Sequence, residues 1–434
     1  MLAQLVELVG KKRIALLGFG REGRSSYTFL RQLFPTRPLL IADKNPVALE
    51  DPYVTLLCGP DYLEVVHRCD ILLKSPGVPL KDVPLPPGLK ITCQTDLFLR
   101  FAACVKAGVT GSKGKTTTST LIFDMLRASG IPARLVGNVG VPVLDCFDDI
   151  AGQVAVIELS SHQLEFTQAS PHVAVWTNLY EEHLEHYTGG FAGYAAAKAH
   201  IFQYQAPGDL FISNADQPLE DFDCVRISRC KARRCAVGVR TEDSFLQSLE
   251  SNNPRLRGAH NRQDIYFAAT AALELGATHE GIRRAVAAFR GIPHRMEPIS
   301  NAGGIKWVDD CISTIPHSVC AAIDALETVD TLILGGFDRG LDYRTFAKEL
   351  IERNVRNLIC MPETGYSIAK LLRALGSGQH IVLVETMEEA VATAAACTAP
   401  KKNCLLSPAA ASYNIYKNFE EKGAHFAACI ARLY

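Results

Sequence analysis

GVTGSKGKTTT, residues 108–118, lies between an apolar stretch that reads as a strand (VKAGVT) and a helical one (TSTLIFDMLRASG). A strand, a glycine loop and a helix in that order make a phosphate-binding loop, with Lys115 and Thr116 where such a loop carries its lysine and its Mg²⁺-binding hydroxyl. The strict GxxxxGK[ST] pattern fails at Val109; the glycines are Gly108, Gly111 and Gly114, so this is a variant of the loop. A buried lysine at this point needs an anion. The loop and first helical turn, Gly111, Ser112, Lys113, Gly114, Lys115, Thr116 and Thr117, are therefore expected to bind the phosphates of a nucleotide.

Outward from this loop, short strand-like runs alternate with longer helical patterns: RIALLG, LLIAD, ILLKSPG, VAVIELSS, VAVWTN, TLILGG, NLICM, HIVLVE and NCLLSPA. Such alternation predicts an α/β fold with mainly parallel sheets. At roughly 150 residues per domain, 434 residues make about three domains. One boundary is expected near residue 100, where TDLFLRFAACVKAGVTG ends one unit and opens the next. The other is expected near 290, where FRGIPHRMEPIS passes through a proline into a new strand, giving 1–100, 101–290 and 291–434.

A second glycine loop opens the chain. RIALLGFGREGRSSYTFLRQL holds Gly18-x-Gly20-x-x-Gly23 between a strand and a helix, and Asp43 ends the next strand where a ribose-binding acid would sit. The motif alone suits a nicotinamide or flavin dinucleotide, another nucleotide diphosphate, or a tight turn with no ligand. Lys74-Ser75-Pro76-Gly77-Val78-Pro79, after the strand ILL, could line the same crevice.

Lys and Arg number 45 and Asp and Glu 46, so the formal charge is −1, and no long run of either sign attracts nucleic acid or an anionic membrane. Anions must then be bound locally. No stretch approaches 18 consecutive apolar residues, and MLAQLVELVGKKRIALLG has its lysines after its apolar residues, the reverse of a signal peptide, so a cytoplasmic protein is expected. The 14 cysteines include no CxxC pair and read as reduced core thiols; Cys224, Cys230 and Cys235 are a weak alternative as metal ligands.

Two further strand ends carry oxygen and nitrogen donors: Glu158, Ser160 and Ser161 in VAVIELSSHQLE, and Asn178, Glu181, Glu182 and His183 in VWTNLYEEHLEHY. Carboxylates at strand ends beside a phosphate loop are placed to hold Mg²⁺, directly or through water; N-capping and surface charge are the alternatives.

From this point the chain resembles the Mur ligases, the ATP-dependent amino-acid-adding enzymes of bacterial cell-wall precursor synthesis. GVTGSKGKTTT, GNVGVP, ELSSHQLE, NLYEEHLEHY, AAAKAHIF, LRGAHNRQD, GIPHRME, LGGFDRGLDY and LLSPAAASYNIYKNFEEKG match family blocks in order over nearly the whole chain. The short N-terminal unit, ELSSHQLE and SPAAAS…KNFEEKG are most similar to the branch that adds D-glutamate to UDP-N-acetylmuramoyl-L-alanine. The resemblance implies an N-terminal Rossmann-like domain for the UDP end of the substrate, a central P-loop ATPase domain, and a C-terminal Rossmann-like domain that closes over the amino acid. It further implies a cytoplasmic monomer that uses ATP and two Mg²⁺ sites.

Residue by residue, the resemblance gives Lys115 to the β- and γ-phosphates, Thr116 to the first Mg²⁺, and Glu158 and His183 to the second. Lys198, in AAAKAHIF, matches a lysine carbamylated in the family, so that it too would be a metal ligand. Gly18, Phe19, Gly20, Asp43, Ser75, Pro76 and Gly77, with Asn138, Ser160 and His183, would hold the UDP-substrate, which replaces the dinucleotide-cofactor reading. Asn261 would meet adenine, Arg295 the γ-phosphate and Asp310 the ATP ribose. Thr314, Arg339, Ser412 and Phe419 would hold glutamate. The chain departs from the pattern at Ile312 and Arg339, where the branch has lysines, and at Asp264, where it has asparagine. An L-glutamate-adding relative and a folylpolyglutamate-synthase-like ligase are the alternatives, and the complete N-terminal GxGxxG unit argues against the second.

Overall fold

The computed structural model describes the chain apart from Met1, His183, Leu184, Glu250, Ser251, Asn252, Arg257, Glu327, Arg339, Tyr413 and Asn414. It divides into two compact units, Met1–Arg290 and Gly291–Tyr434. Every strand-like run quoted above forms a strand, because each is a short β-branched or leucine-rich segment bounded by glycine, proline or a polar turn.

The first unit contains two parallel sheets. One comprises β1 (Ile14–Leu17), β2 (Leu39–Asp43), β3 (Val54–Cys58), β4 (Ile71–Lys74) and β5 (Lys90–Thr92), in the order β3-β2-β1-β4-β5. The other comprises β6 (Val105–Thr110), β7 (Ala133–Gly137), β8 (Val154–Glu158), β9 (Val173–Trp176), β10 (Leu210–Asn214) and β11 (Arg233–Val237), in the order β11-β10-β9-β6-β8-β7. One apolar core joins them: Phe29 on the helix after β1 packs tilted against Phe147, ring centres 4.8 Å apart, and Phe147 packs also against Phe98. The strands β6, β8 and β9 are almost wholly buried, as expected of parallel strands covered on both faces.

The topology decides where ligands can sit. In an open parallel sheet the crevice forms at the C-terminal strand ends where the strand order reverses. In the first sheet that point lies between β1 and β4, which places the Gly18 loop beside the Ser75 loop. In the second, β6 is flanked by β8 and β9, so the loop after Thr110 has the end of β8 on one side and the end of β9 on the other.

The second unit has one sheet of β12 (Glu297–Ser300), β13 (Lys306–Asp309), β14 (Val329–Gly336), β15 (Asn357–Glu363), β16 (His380–Leu383) and β17 (Asn403–Leu406). The order is β12-β13-β17-β14-β15-β16, parallel except for β12 against β13. Apolar clusters lie on both faces, one built on Val308, Leu332 and Phe346, the other on Trp307, Ile333 and Phe426.

Candidate active site

The phosphate loop is clasped by the end of β9. Ser112 N donates to Asn178 O at 3.0 Å, Lys113 N donates to Asn178 Oδ1 at 2.8 Å, and Thr177 Oγ1 donates to Lys113 O at 2.6 Å. Gly111 has φ 147°, and a Cβ there would collide with Thr177 Oγ1, so the close clasp demands glycine. Ser112 Oγ bonds the Tyr194 hydroxyl at 2.9 Å and accepts Tyr180 N–H at 2.9 Å. Beyond Gly114 the helix Lys115–Ala128 begins, its first internal bond running from Thr118 N to Gly114 O. The amides of its first turn therefore precede the helical ladder and, with the helix dipole, favour an anion.

Two lysines meet at one carbonyl. Lys115 Nζ donates to Gly111 O at 3.0 Å and Ser112 O at 2.9 Å, and Lys198 Nζ, on the helix Phe191–Gln203, donates to Gly111 O at 2.7 Å. Lys198 is 1% exposed, and its ammonium lies 4.7 Å from the centre of the Tyr194 ring. Burial first, and then the charge of Lys115, lower its pKa well below that of an ordinary lysine. The shift favours the uncharged amine.

Glu158, at the end of β8, is also 1% exposed. Its Oε1 accepts from Asn138 Nδ2 at 2.6 Å, and its Oε2 is buried without a hydrogen-bond partner among the described residues. A partnerless carboxylate oxygen in the interior is costly unless a cation completes it. Thr116, buried at the start of the helix, offers a hydroxyl, while Lys113 is exposed and paired with Glu182. A bare carboxylate oxygen and a hydroxyl are oxygen donors of the kind a hard divalent cation takes. His183, expected among them, lies outside the described residues.

Asp264 supports the loop from behind. It is buried on the helix Ala259–Glu274, accepts from Thr118 Oγ1 at 3.1 Å and lies against Gly114. Asn261, one turn earlier, is half-buried.

The N-terminal loop is built as tightly. Phe19 N donates to Asp43 Oδ2 at 2.6 Å, Asn45 N to Asp43 Oδ1 at 2.8 Å, and Ser75 Oγ to Gly18 O at 2.8 Å. Gly23 lies so close to Gly18 O that any side chain would clash. Asp43 thus shapes the turn through two backbone amides, while Gly20 and Gly77 face open space and Pro76 is half-buried. Two contacts tie this loop to the second sheet: Arg21 donates to Gly140 O in GNVGVP, and Gln163 Nε2 in ELSSHQLE donates to Glu22 Oε1 at 2.7 Å. Ser160 and Gln163 form a capping box on the short helix Ser161–Leu164. Lys74, buried, pairs with Glu165 at 3.0 Å. Sequence reasoning missed Tyr194, Thr177, Glu22, Gln163 and the supporting place of Asp264; only Asp264, as a departure from a motif, carried any signal.

In the second unit, loops at the ends of β13, β14 and β17 gather the remaining candidates. Phe337 N donates to Ala411 O at 2.8 Å and Ala409 N to Ser313 O at 3.0 Å, which draws the Thr314 and Ser412 segments and the start of the 335–340 loop together. Ser412 is buried, and its hydroxyl has no partner among the described residues. Arg339 lies outside the described residues. Asp310 is buried, accepts from Met296 N at 3.1 Å and Ser407 Oγ at 2.6 Å, and burial pushes its pKa up to about 6. His294, with φ 60°, bonds Asp309 Oδ2 at 2.7 Å, which raises its pKa, and sits edge-on to Phe419 at 5.9 Å; Arg295 beside it is exposed.

The Mur ligase middle-domain profile matches residues 109–254, and the Mur ligase glutamate-ligase-domain profile matches 294–410. The chain is 36% identical over 408 residues to the UDP-N-acetylmuramoylalanine–D-glutamate ligase of Symbiobacterium thermophilum, covering 88% of each chain. It is 31% identical to that of Shouchella clausii, over 98% of this chain and 97% of the relative. Among solved structures, the UDP-N-acetylmuramate–alanine ligase of Thermotoga maritima aligns with TM-score 0.57 at 16% identity, over 98% of this chain and 100% of that one. A bifunctional folylpolyglutamate synthase/dihydrofolate synthase of Yersinia pestis, complexed with AMPPNP and a Mn ion, aligns at 0.54 and 16% identity over 83% of this chain and 99% of its own. These two share the fold, while the identity and coverage of the sequence relatives place the chain itself: it belongs to the Mur ligase family.

Proposed function

We propose that the chain is an ATP-dependent, ADP-forming ligase that adds D-glutamate to UDP-N-acetylmuramoyl-L-alanine in peptidoglycan precursor synthesis. The observation that carries the reading is the meeting, in one unit, of a phosphate loop, a buried Glu158 oxygen with no partner among the described residues and a buried Lys198 amine held on the loop carbonyl of Gly111, in a chain whose relatives bear that ligase's name. A free carboxylate is a poor acyl donor, and ATP supplies the leaving group. The substrate carboxylate takes the γ-phosphoryl group, the glutamate amine attacks the acyl phosphate, and phosphate departs to leave an amide.

Residues 1–100 take the UDP end, 101–290 take ATP, and 291–434 take glutamate. Lys115 and the first-turn amides neutralise the β- and γ-phosphates. Glu158, Lys198 as its carbamate, and His183 would hold one Mg²⁺ and Thr116 another; bound there, the ions supply positive charge to the phosphoryl oxygens and the acyl phosphate. The neutral amine of Lys198 can add CO₂, losing a proton as the carbamate forms. Gly18, Phe19, Gly20, Ser75, Pro76 and Gly77 hold diphosphate and uridine around the turn shaped by Asp43, and Asn138 and Ser160 the sugar-peptide. Asn261 meets adenine, Arg295 the γ-phosphate and Asp310 the ribose. Thr314, Arg339, Ser412 and Phe419 take glutamate, the arginine fork suiting a carboxylate.

The test is phosphate release from ATP and Mg²⁺ with UDP-N-acetylmuramoyl-L-alanine and either D- or L-glutamate. Release with D-glutamate is expected. Release only with L-glutamate would move the chain to a different amino acid, and none with either would overturn the ligase assignment.

A further inference from the structure

Two helices of the second unit bring a thiol, an imidazole and a carboxylate to one point. His425 and Cys429 are four residues apart on the helix Phe419–Leu433, hence on one face of it. Glu388 is in the first turn of the helix Met387–Cys397, which packs against that face. One donor atom from each of the three lies within 4.8 Å of the others, so that small side-chain rotations would bring all three onto a single ion.

The imidazole is already oriented. The Tyr416 hydroxyl lies 3.0 Å from His425 Nδ1, and Nε2 faces Glu388 Oε1 at 3.0 Å. Tyr416 is buried, which holds its hydroxyl beside Nδ1. A carboxylate oxygen can only accept, so Nε2 carries the ring proton toward Glu388 and Nδ1 accepts from the Tyr416 hydroxyl; a metal ion would take the place of that Nε2 proton, with Nδ1 then protonated and held by the Tyr416 oxygen. A histidine that ligates a metal through one nitrogen while its other N–H is held by an acceptor is the usual outer-shell arrangement. Cys429 is buried at the base of the trio, while Glu388 is exposed at its rim, leaving an entry path from solvent.

We propose that Glu388, His425 and Cys429 form a binding site for a borderline-soft divalent transition metal, Zn²⁺ by ligand type, separate from the Mg²⁺ chemistry of the phosphate loop. Thiolate, imidazole and carboxylate are the ligands zinc takes, and thiolate is one that Mg²⁺ avoids. Three protein ligands leave the fourth tetrahedral position to water. On binding, the Cys429 thiol releases its proton to solvent and its sulfur pair bonds the metal; thiolate and carboxylate then balance the ion's double charge. The bound ion pins the C-terminal helix to its neighbour.

The experiment titrates the full, metal-free chain with Co²⁺, whose thiolate charge-transfer absorption reports a cobalt–sulfur bond, and follows with Zn²⁺ competition and thermal melting. One equivalent of Co²⁺ should give the thiolate band, Zn²⁺ should displace it, and Zn²⁺ should raise the melting midpoint. Cys429→Ser and His425→Ala should abolish the band and the shift while leaving phosphate release unchanged. Tyr416→Phe should weaken Zn²⁺ binding about 10- to 100-fold. A band that persists in Cys429→Ser would come from other thiols and overturn the assignment, as would the absence of any band from the wild-type chain.

Discussion

Exchanging Lys198 for methionine separates what this side chain does for the fold from what it does for catalysis. Methionine nearly fills the same buried volume and removes only the amine. The lost bond to Gly111 O is worth about 1 kcal/mol, but that carbonyl keeps Lys115 Nζ at 3.0 Å, and the burden of an amine held in the interior beside Lys115 disappears. The denaturant midpoint should therefore move by the equivalent of no more than about 1 kcal/mol. Turnover should fall on the order of 10²- to 10³-fold, the loss met when one group stabilising transition-state charge is removed, or about 2.7–4 kcal/mol. Lys198→Ala should instead lose about 2–4 kcal/mol of stability to a cavity, and part of its activity should return with added formate or acetate, which can place a carboxylate in that space. The assay is phosphate release at saturating substrates, with urea melts on the same preparations. A stable methionine variant turning over at the wild-type rate would refute the reasoning, as would a folded alanine variant with full activity and no response to carboxylate.

Other consequences are as direct. Glu158→Gln should leave the fold at least as stable, since it removes the charge of a carboxylate with a buried partnerless oxygen, yet raise the Mg²⁺ requirement and slow turnover on the order of 100-fold; a Mg²⁺ titration of phosphate release measures both. Gly111→Ala forces a side chain into φ 147° and against Thr177 Oγ1, so about 1–3 kcal/mol of strain should appear in melts and the KM for ATP should rise. Lys422 is buried on Gly335 O at 2.7 Å, and burial lowers its pKa from 10.5 to about 8. Between pH 8 and 10.5 the unfolded chain binds more of this proton than the folded one, so Lys422 makes stability rise with pH across that window. Lys422→Met should remove a contribution to the slope on the order of 3 kcal/mol over the window, measured by urea melts of both proteins at each pH. Asp310, raised to about 6 by burial, acts oppositely: its proton is held by the folded state between pH 3.8 and 6, and stability falls as pH rises there. Asp310→Asn should flatten that decline in the same melts.

Local pattern carried the architecture. Each predicted strand is a short apolar run with a turn signal after it, and parallel α/β order follows from the alternation of such runs with helical periods. The phosphate loop was legible for the same reason: its glycines, lysine and threonine are contiguous, and their geometry is set by the strand and helix that flank them. Asp43 gains from the fold a role that spacing does not carry. Its position suggested a ribose ligand, while the folded chain turns both carboxylate oxygens onto the amides of Phe19 and Asn45.

What the sequence determined by itself was the identity of the loops, because backbone geometry over ten or so residues depends on neighbours along the chain. Tertiary structure alone decided their chemistry. Lys198 is 87 residues from Gly111, Asp264 is 146 from Thr118, and Asn138 is 20 from Glu158, so no periodicity records these meetings. Burial lowered the pKa of Lys198 and left Glu158 with an oxygen unsatisfied among the described residues, and burial is a property of the packed unit. The same holds for Glu388, His425 and Cys429, which become a ligand set only when two helices pack face to face.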